Sequence, residues 1–213
     1  MGFEWILQVP ILFFSIIIHE FSHGLVALFY GDHTAEEQGR LTLNPLPHVD
    51  LFGTLLLPAM CILGGAPVFG WAKPVPVDSS RMRGGKRAIV AVSLVGPLSN
   101  VALAFLAALL FRLSYTLGGA APDMQDTLAE ALRFGVVLNL YLAAFNLIPV
   151  HPLDGSKVLE GLLPKRLARQ YEQHAPYGFL IILFLIMSGT LSHILFPMVR
   201  LGIKTLAMMG LFW

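Results

Sequence analysis

His19-Glu20-Phe21-Ser22-His23 sets two imidazoles and a carboxylate inside an apolar run that extends from Trp5 to Tyr30. On an α-helix, residues i and i+4 lie about 40° apart around the axis and roughly 6 Å apart along it, so His19 and His23 can hold one metal ion between them. Glu20 then projects beside the metal. The spacing is that of H-E-x-x-H, in which two His ligate Zn²⁺ and the Glu takes a proton from metal-activated water. Alone, a five-residue pattern is weak, because it also arises by chance on ordinary helix surfaces. Here the apolar flanks, Ile11 to Ile18 and Leu25 to Tyr30, give it weight. A Glu near a bilayer midplane costs about 3 kcal/mol on insertion scales, and residues placed there face a protein interior or a water-filled cavity.

A hydrolytic zinc needs three protein ligands and one open position. Carboxylates are scarce in the apolar part of the chain, which narrows the search. One stands in Asn146-Leu147-Ile148-Pro149-Val150-His151-Pro152-Leu153-Asp154-Gly155, where a Pro-broken helix end meets a Gly that permits a sharp turn. Asp154 could turn inward as the third ligand, or it could cap a helix that begins near Ser156. The segment alone supports both readings equally. Glu160, further along the same helix, is expected to serve neither metal nor hydrolysis. Of the remaining histidines, His151 is placed for an accessory role, whereas His33, His48, His174 and His193 read as interfacial or packing residues.

These groups need a scaffold, and the composition says which kind. Hydrophobic residues make up 56% of the 213 residues and charged ones 13%, about half the charged share of a soluble domain, which points to an α-helical polytopic membrane protein with a bundle of about 4–6 transmembrane helices. Apolar stretches fall at roughly 5–30, 51–70, 88–112, 128–150 and 177–213, each near the length needed to cross a bilayer. The last could be one span with an amphipathic tail, or two short spans broken near Pro197 and Arg200. With no hydrophilic insertion and no repeat, 1–213 reads as a single membrane-embedded domain. The net charge of +1 and the lack of a basic stripe give no reason to expect nucleic acid. Cys61 is the sole cysteine, so neither an intrachain disulfide nor a Cys-based zinc site is available. The first stretch lacks a basic leader and a small-residue cleavage site, and reads as a retained span.

The placement of charge orients the bundle. Lys73, Arg81, Arg83, Lys86 and Arg87 precede the third stretch, and Lys157, Lys165, Arg166 and Arg169 follow the fourth, so both connections should be cytoplasmic, with Asp123 and Asp126 outside. If the first helix ends inside, 51–70 must return to its own side, and Pro58, Gly64, Gly65 and Pro67 suit such a re-entrant element. If 51–70 crosses fully, the N-terminus is cytoplasmic. Residues 40–45 alternate like a short strand ending at a turn, and 72–77, with Pro74 and Pro76, should be extended. The two could pair as a β-hairpin or offer an edge to a peptide, or be ordinary loops. Gly96-Pro97 should break a helix near its start and pack closely against the catalytic helices, with a polar role for Asn100 as the lesser reading.

Taken in order and spacing, these segments resemble the site-2 protease family of intramembrane zinc metalloproteases. The resemblance runs from His19-Glu20-Phe21-Ser22-His23-Gly24 through Gly39-Arg40-Leu41-Thr42-Leu43-Asn44-Pro45, Gly70-Trp71-Ala72-Lys73-Pro74-Val75-Pro76-Val77 and Gly96-Pro97-Leu98-Ser99-Asn100 to Asn146-Leu147-Ile148-Pro149 and Leu153-Asp154-Gly155. It is similar to the compact bacterial branch without PDZ or CBS domains. The resemblance implies His19, His23 and Asp154 as ligands of one Zn²⁺ per chain, Glu20 as general base, and Asn146 beside the site to orient substrate or stabilise the oxyanion. It implies a re-entrant element within 51–77, a multi-pass place in the bacterial inner membrane with the active site open to the cytoplasm, and transmembrane proteins or peptides as substrates. Leu51 and His151 depart from the family pattern without touching the ligand set. Other readings are a metal transporter, for which repeated halves are missing, and a CAAX-type membrane zinc protease, whose third ligand is a downstream Glu.

Overall fold

The computed structural model describes residues 5–56, 60, 63–64, 72–117 and 122–212. Among the described residues, four helices are long and apolar enough to cross a membrane: α1 (Trp5–Phe29), α3 (Lys86–Leu117), α4 (Pro122–Asn146) and α8 (Thr190–Met208). Shorter α-helices among the described residues are α2 (Thr34–Glu37), α5 (Asp154–Leu162), α6 (Lys165–Glu172) and α7 (Gly178–Met187). No strand occurs among the described residues. Helices satisfy every backbone polar group within one segment, which is what a hydrocarbon environment demands. Phe14, Leu25, Phe105, Leu110, Phe184 and Leu201 accordingly stay exposed on the outside of the bundle. The protein is a helical membrane protein.

The core that joins α3, α4 and α8 is built from Ala104, Ala108, Phe111, Val136, Leu140, Ala144, Leu195, Val199 and Leu206. The alanines let backbones approach closely, as helix packing in lipid requires. A second cluster, Ala27, Met82, Ala88 and Val92, fixes the last turns of α1 to the start of α3. The end of α1 also carries a clasp. Asp32, 1% exposed, accepts hydrogen bonds from Thr34 N (3.0 Å) and Asp78 N (2.7 Å), and Arg83 N donates to Tyr30 O (2.7 Å).

Several expectations are corrected here. Residues 40–45 form no strand, because Thr42 Oγ1 and Asn44 Oδ1 capture the N–H groups of Asn44 and Leu46 locally. Segment 72–78 is neither helix nor strand, since Pro74 and Pro76 have no N–H for a ladder. The two segments do meet, but through a side chain: Arg40 Nη2 donates to Lys73 O (2.8 Å) and Pro74 O (3.1 Å). Helix α3 runs unbroken through Gly96-Pro97. The last apolar stretch breaks at Ser188-Gly189, where Gly189 has φ 72°, a left-handed conformation that glycine adopts freely. Pro197 lies inside α8, and the ten residues of α7 reach only about 15 Å. Of 51–70, residues 51–56 form one π-helical turn, and most of the re-entrant element expected there lies outside the described residues.

Candidate metal centre

Helix α1 places His19 and His23 one turn apart with their Nε2 atoms 3.1 Å from one another. Asp154 Oδ2 stands 3.2 Å from each. The two histidines lie deep in the bundle, 6% and 8% exposed, and the Asp154 side chain is 12% exposed. Asp154 does not cap its helix: Leu153 holds the cap position and Asp154 is the first helical residue, where the helix dipole favours its charge. Gly155 is helical and does not make the sharp turn expected of it. Its role is close approach, because a β-carbon there would stand 2.3 Å from Leu147 O. The end of α4 therefore presses directly on the start of α5 and brings the carboxylate to the histidines.

The donor set fits a divalent metal. His23 Nδ1 lies 2.6 Å from Val92 O, a carbonyl that can only accept, and His19 Nδ1 lies 2.6 Å from Asn100 Oδ1. In the neutral imidazoles both ring protons then sit on Nδ1, and both Nε2 lone pairs face Asp154 Oδ2, which is buried without a hydrogen-bond donor. Three electron-rich atoms at 3.1–3.2 Å repel one another unless a cation lies among them. Ligands 2.0–2.1 Å from a tetrahedral zinc are about 3.4 Å apart. Among the described residues this is the one His/Asp cluster with metal-ligand spacing.

Helix α3 supplies the back wall. Pro97 has no N–H for Ser93 O, four residues earlier, and in the same turn Val92 O lies 2.6 Å from His23 Nδ1. Gly96 leaves room for both imidazoles, and Asn100, wholly buried, accepts from His19. The expected close packing at Gly96 is observed, and the polar role of Asn100, read as the lesser one from sequence, is realised. Chain order alone held no signal for the pairing of Asn100 with His19.

The centre opens into a cavity of about 450 Å³. Glu20 lines it and accepts a hydrogen bond from Val75 N (2.8 Å) on segment 72–78, which Val75 seats against Gly24. Asn146, the last residue of α4, also lines it, with one amide hydrogen given to Leu142 O (3.0 Å). Ser79, Lys157 and Glu160 form part of the wall, so Glu160 is no bystander, although it is not within ligand range. His151 is absent from both ligand set and cavity wall. It lies 3.1 Å from Ser156 Oγ and packs on Tyr171.

Known proteins share sequence with this chain over most of its length. A model of peptidase family M50 matches residues 8–189. "Putative zinc metalloprotease YwhC" of Bacillus subtilis is 39% identical over 192 residues, which cover 90% of this chain and 84% of that protein. "Putative zinc metalloprotease Rip2" of Mycolicibacterium smegmatis is 32% identical over 186 residues, or 87% of this chain and 68% of its own. No solved structure matches the chain significantly.

Proposed function

The chain belongs to peptidase family M50 and is a metalloprotease, and on that premise we propose that it hydrolyses peptide bonds within or beside transmembrane segments, with His19, His23 and Asp154 holding one Zn²⁺. The observation that carries this reading is the triangle of two imidazole Nε2 atoms and Asp154 Oδ2, at 3.1–3.2 Å, at the base of a cavity between apolar helices. When bound, zinc supplies Lewis acidity, acidifying water and polarising a carbonyl.

The chain's own residues do the rest. Glu20 Oε2 is held by the Val75 N–H, which leaves Oε1 to take a proton from the attacking water and return it to the leaving amine. Asn146 has an amide hydrogen beyond the one given to Leu142 O, available to orient the substrate carbonyl. A peptide bond inside a transmembrane helix is shielded, so a substrate must unwind locally. Segment 72–77 lines the cavity through Pro74, Val75 and Val77, and its backbone is the candidate to hold an unwound stretch by hydrogen bonds.

Lys157 and Glu160 in the cavity wall, near Lys86 and the basic connections at 81–87 and 165–169, support a cytoplasmic mouth. The reading extends to a multi-pass protein of the bacterial inner membrane. The test is Glu20→Gln and His23→Ala beside wild type on a model transmembrane substrate. Glu20→Gln should keep zinc and lose about 10²–10⁴-fold in cleavage, whereas His23→Ala should lose both. Near-normal cleavage by metal-loaded Glu20→Gln would remove Glu20 from its role.

A further inference from the structure

Behind the two histidines lies a buried polar network that the hydrolytic reading does not use. Asn100 of α3, Asn139 of α4 and Ser15 of α1 are 0%, 3% and 2% exposed, in the otherwise apolar centre of the bundle. Buried amides are costly unless their hydrogen bonds are made, and here they are. Asn139 Nδ2 donates to Gly135 O (2.9 Å) and Ser15 Oγ (2.9 Å). Asn139 Oδ1 accepts from Asn100 Nδ2 (2.9 Å), which also reaches Ser15 O (3.4 Å). Asn100 Oδ1 then faces His19 Nδ1 at 2.6 Å.

The direction of every bond in this chain follows from two backbone carbonyls. Gly135 O can only accept, so the NH₂ of Asn139 must face it and its oxygen must face Asn100. Ser15 O likewise demands the NH₂ of Asn100. Turning either amide over would set oxygen against oxygen. With both amides locked, Asn100 presents an acceptor to His19, the ring proton is held on Nδ1, and Nε2 keeps its lone pair. His23 reaches the same state by a different means, through Val92 O, a backbone group that cannot turn over.

We propose that Asn100 is a positioning residue for the metal site, holding His19 in the tautomer and orientation that ligate through Nε2, and that Asn139 and Ser15 hold Asn100. This rests on the zinc reading above. Outer partners of metal-ligating histidines fix the tautomer and raise ligand basicity, and their loss typically costs about 10- to 100-fold in metal affinity. The two ligands on α1 differ in this respect: His19 is the one whose readiness depends on side chains from two other helices.

The experiment uses the full chain in detergent. Zinc affinity is read by chelator competition, site geometry by visible absorption of the Co²⁺-substituted protein, and the His19 tautomer by ¹⁵N-histidine NMR of the zinc-free protein. Asn100→Ala should lose about 10- to 100-fold in zinc affinity and shift the Co²⁺ bands. Asn100→Asp keeps an acceptor for Nδ1 and, protonated on the oxygen that faces Asn139 Oδ1 and Ser15 O, replaces the amide's donor, so it should hold zinc more tightly than Asn100→Ala. Asn139→Ala leaves the Asn100 amide held only by the long 3.4 Å contact to Ser15 O, so part of it turns over, with mixed His19 tautomers and a smaller loss of affinity. Should Asn100→Ala fail to fold, Asn100→Asp and Asn139→Ala decide the question. Wild-type affinity and unchanged Co²⁺ bands in Asn100→Ala, or a single Nδ1–H tautomer in Asn139→Ala, overturn the proposal. His23→Ala separates the two levels: if it binds zinc like wild type, the zinc reading itself fails, and if it loses zinc while Asn100→Ala does not, only the role of Asn100 falls.

Discussion

A β-carbon on Gly96 would stand 2.4 Å from His23 Nε2 and 2.7 Å from His19 Cε1, so the backbone of α3 is itself the wall against which both imidazoles rest. No side chain fits between them. The imidazoles cannot retreat, because their Nδ1 atoms are tied to Asn100 and Val92.

Gly96→Ala should therefore displace the histidines, lowering zinc occupancy and cleavage at least as much as it lowers stability, for which overpacking costs about 1–3 kcal/mol. Gly135→Ala is the control, because its β-carbon would make ordinary contacts at 3.5–3.6 Å and alanine favours a helix by up to about 1 kcal/mol. Metal analysis and thermal melting of the two variants give the comparison. Full zinc occupancy in Gly96→Ala would contradict the contact.

Asp154→Ala should abolish hydrolysis and release zinc to a chelator that wild type resists, since two histidines alone make a poor site. Glu160→Ala should leave zinc binding unchanged but, because Glu160 lines the cavity, it is free to alter KM. Zinc titration of both, beside steady-state kinetics of Glu160→Ala, separates ligand from wall. Retained zinc and turnover in Asp154→Ala would require another third ligand.

Cysteines introduced at 83 and 165 in a Cys61→Ser background should react with impermeant thiol reagents on one face of the membrane, and a cysteine at 123 on the other. The basis is the excess of Lys and Arg in the connections near 83 and 165. Labelling of 123 and 165 from the same face would reverse the assigned orientation.

The clasp at the end of α1 should give the loops an acid-sensitive step. Burial opposes ionisation of Asp32, but the Thr34 hydroxyl and the N–H groups of Asp78 and Thr34 hold its carboxyl below the ordinary value of 3.8. A depressed folded value means that this stabilisation is complete above the unfolded value and is lost as pH falls through the folded one. Asp78 is shifted in the same direction by Ser80, so the difference between wild type and Asp32→Asn isolates Asp32. Hydrogen exchange in 72–85 should be faster in Asp32→Asn at pH 6, and the two proteins should converge in acid. Equal exchange at pH 6 would show that Asp32 does not hold the segment.

The chemistry of His19, Glu20 and His23 was legible in the chain because i,i+4 proximity is a property of any helix, and the apolar spans were legible because hydropathy is local. Their ends were less so: Gly189, not Pro197, divides the last stretch, since lipid-embedded helices tolerate proline and glycine can turn left-handed. Alternation at 40–45 suggested a strand that side-chain capture of N–H groups overrides, and 72–77, expected to be extended, pairs into no ladder because two of its residues are prolines. Tertiary structure alone took Asp154 off the cap position and brought it to the two histidines, gave Gly155 and Gly96 their close approaches, and paired Asn100 with His19 across 81 positions. These depend on how each helix is rotated and advanced against its neighbours. That register is set by side-chain packing among α1, α3, α4 and α5, and no period within any one segment encodes it.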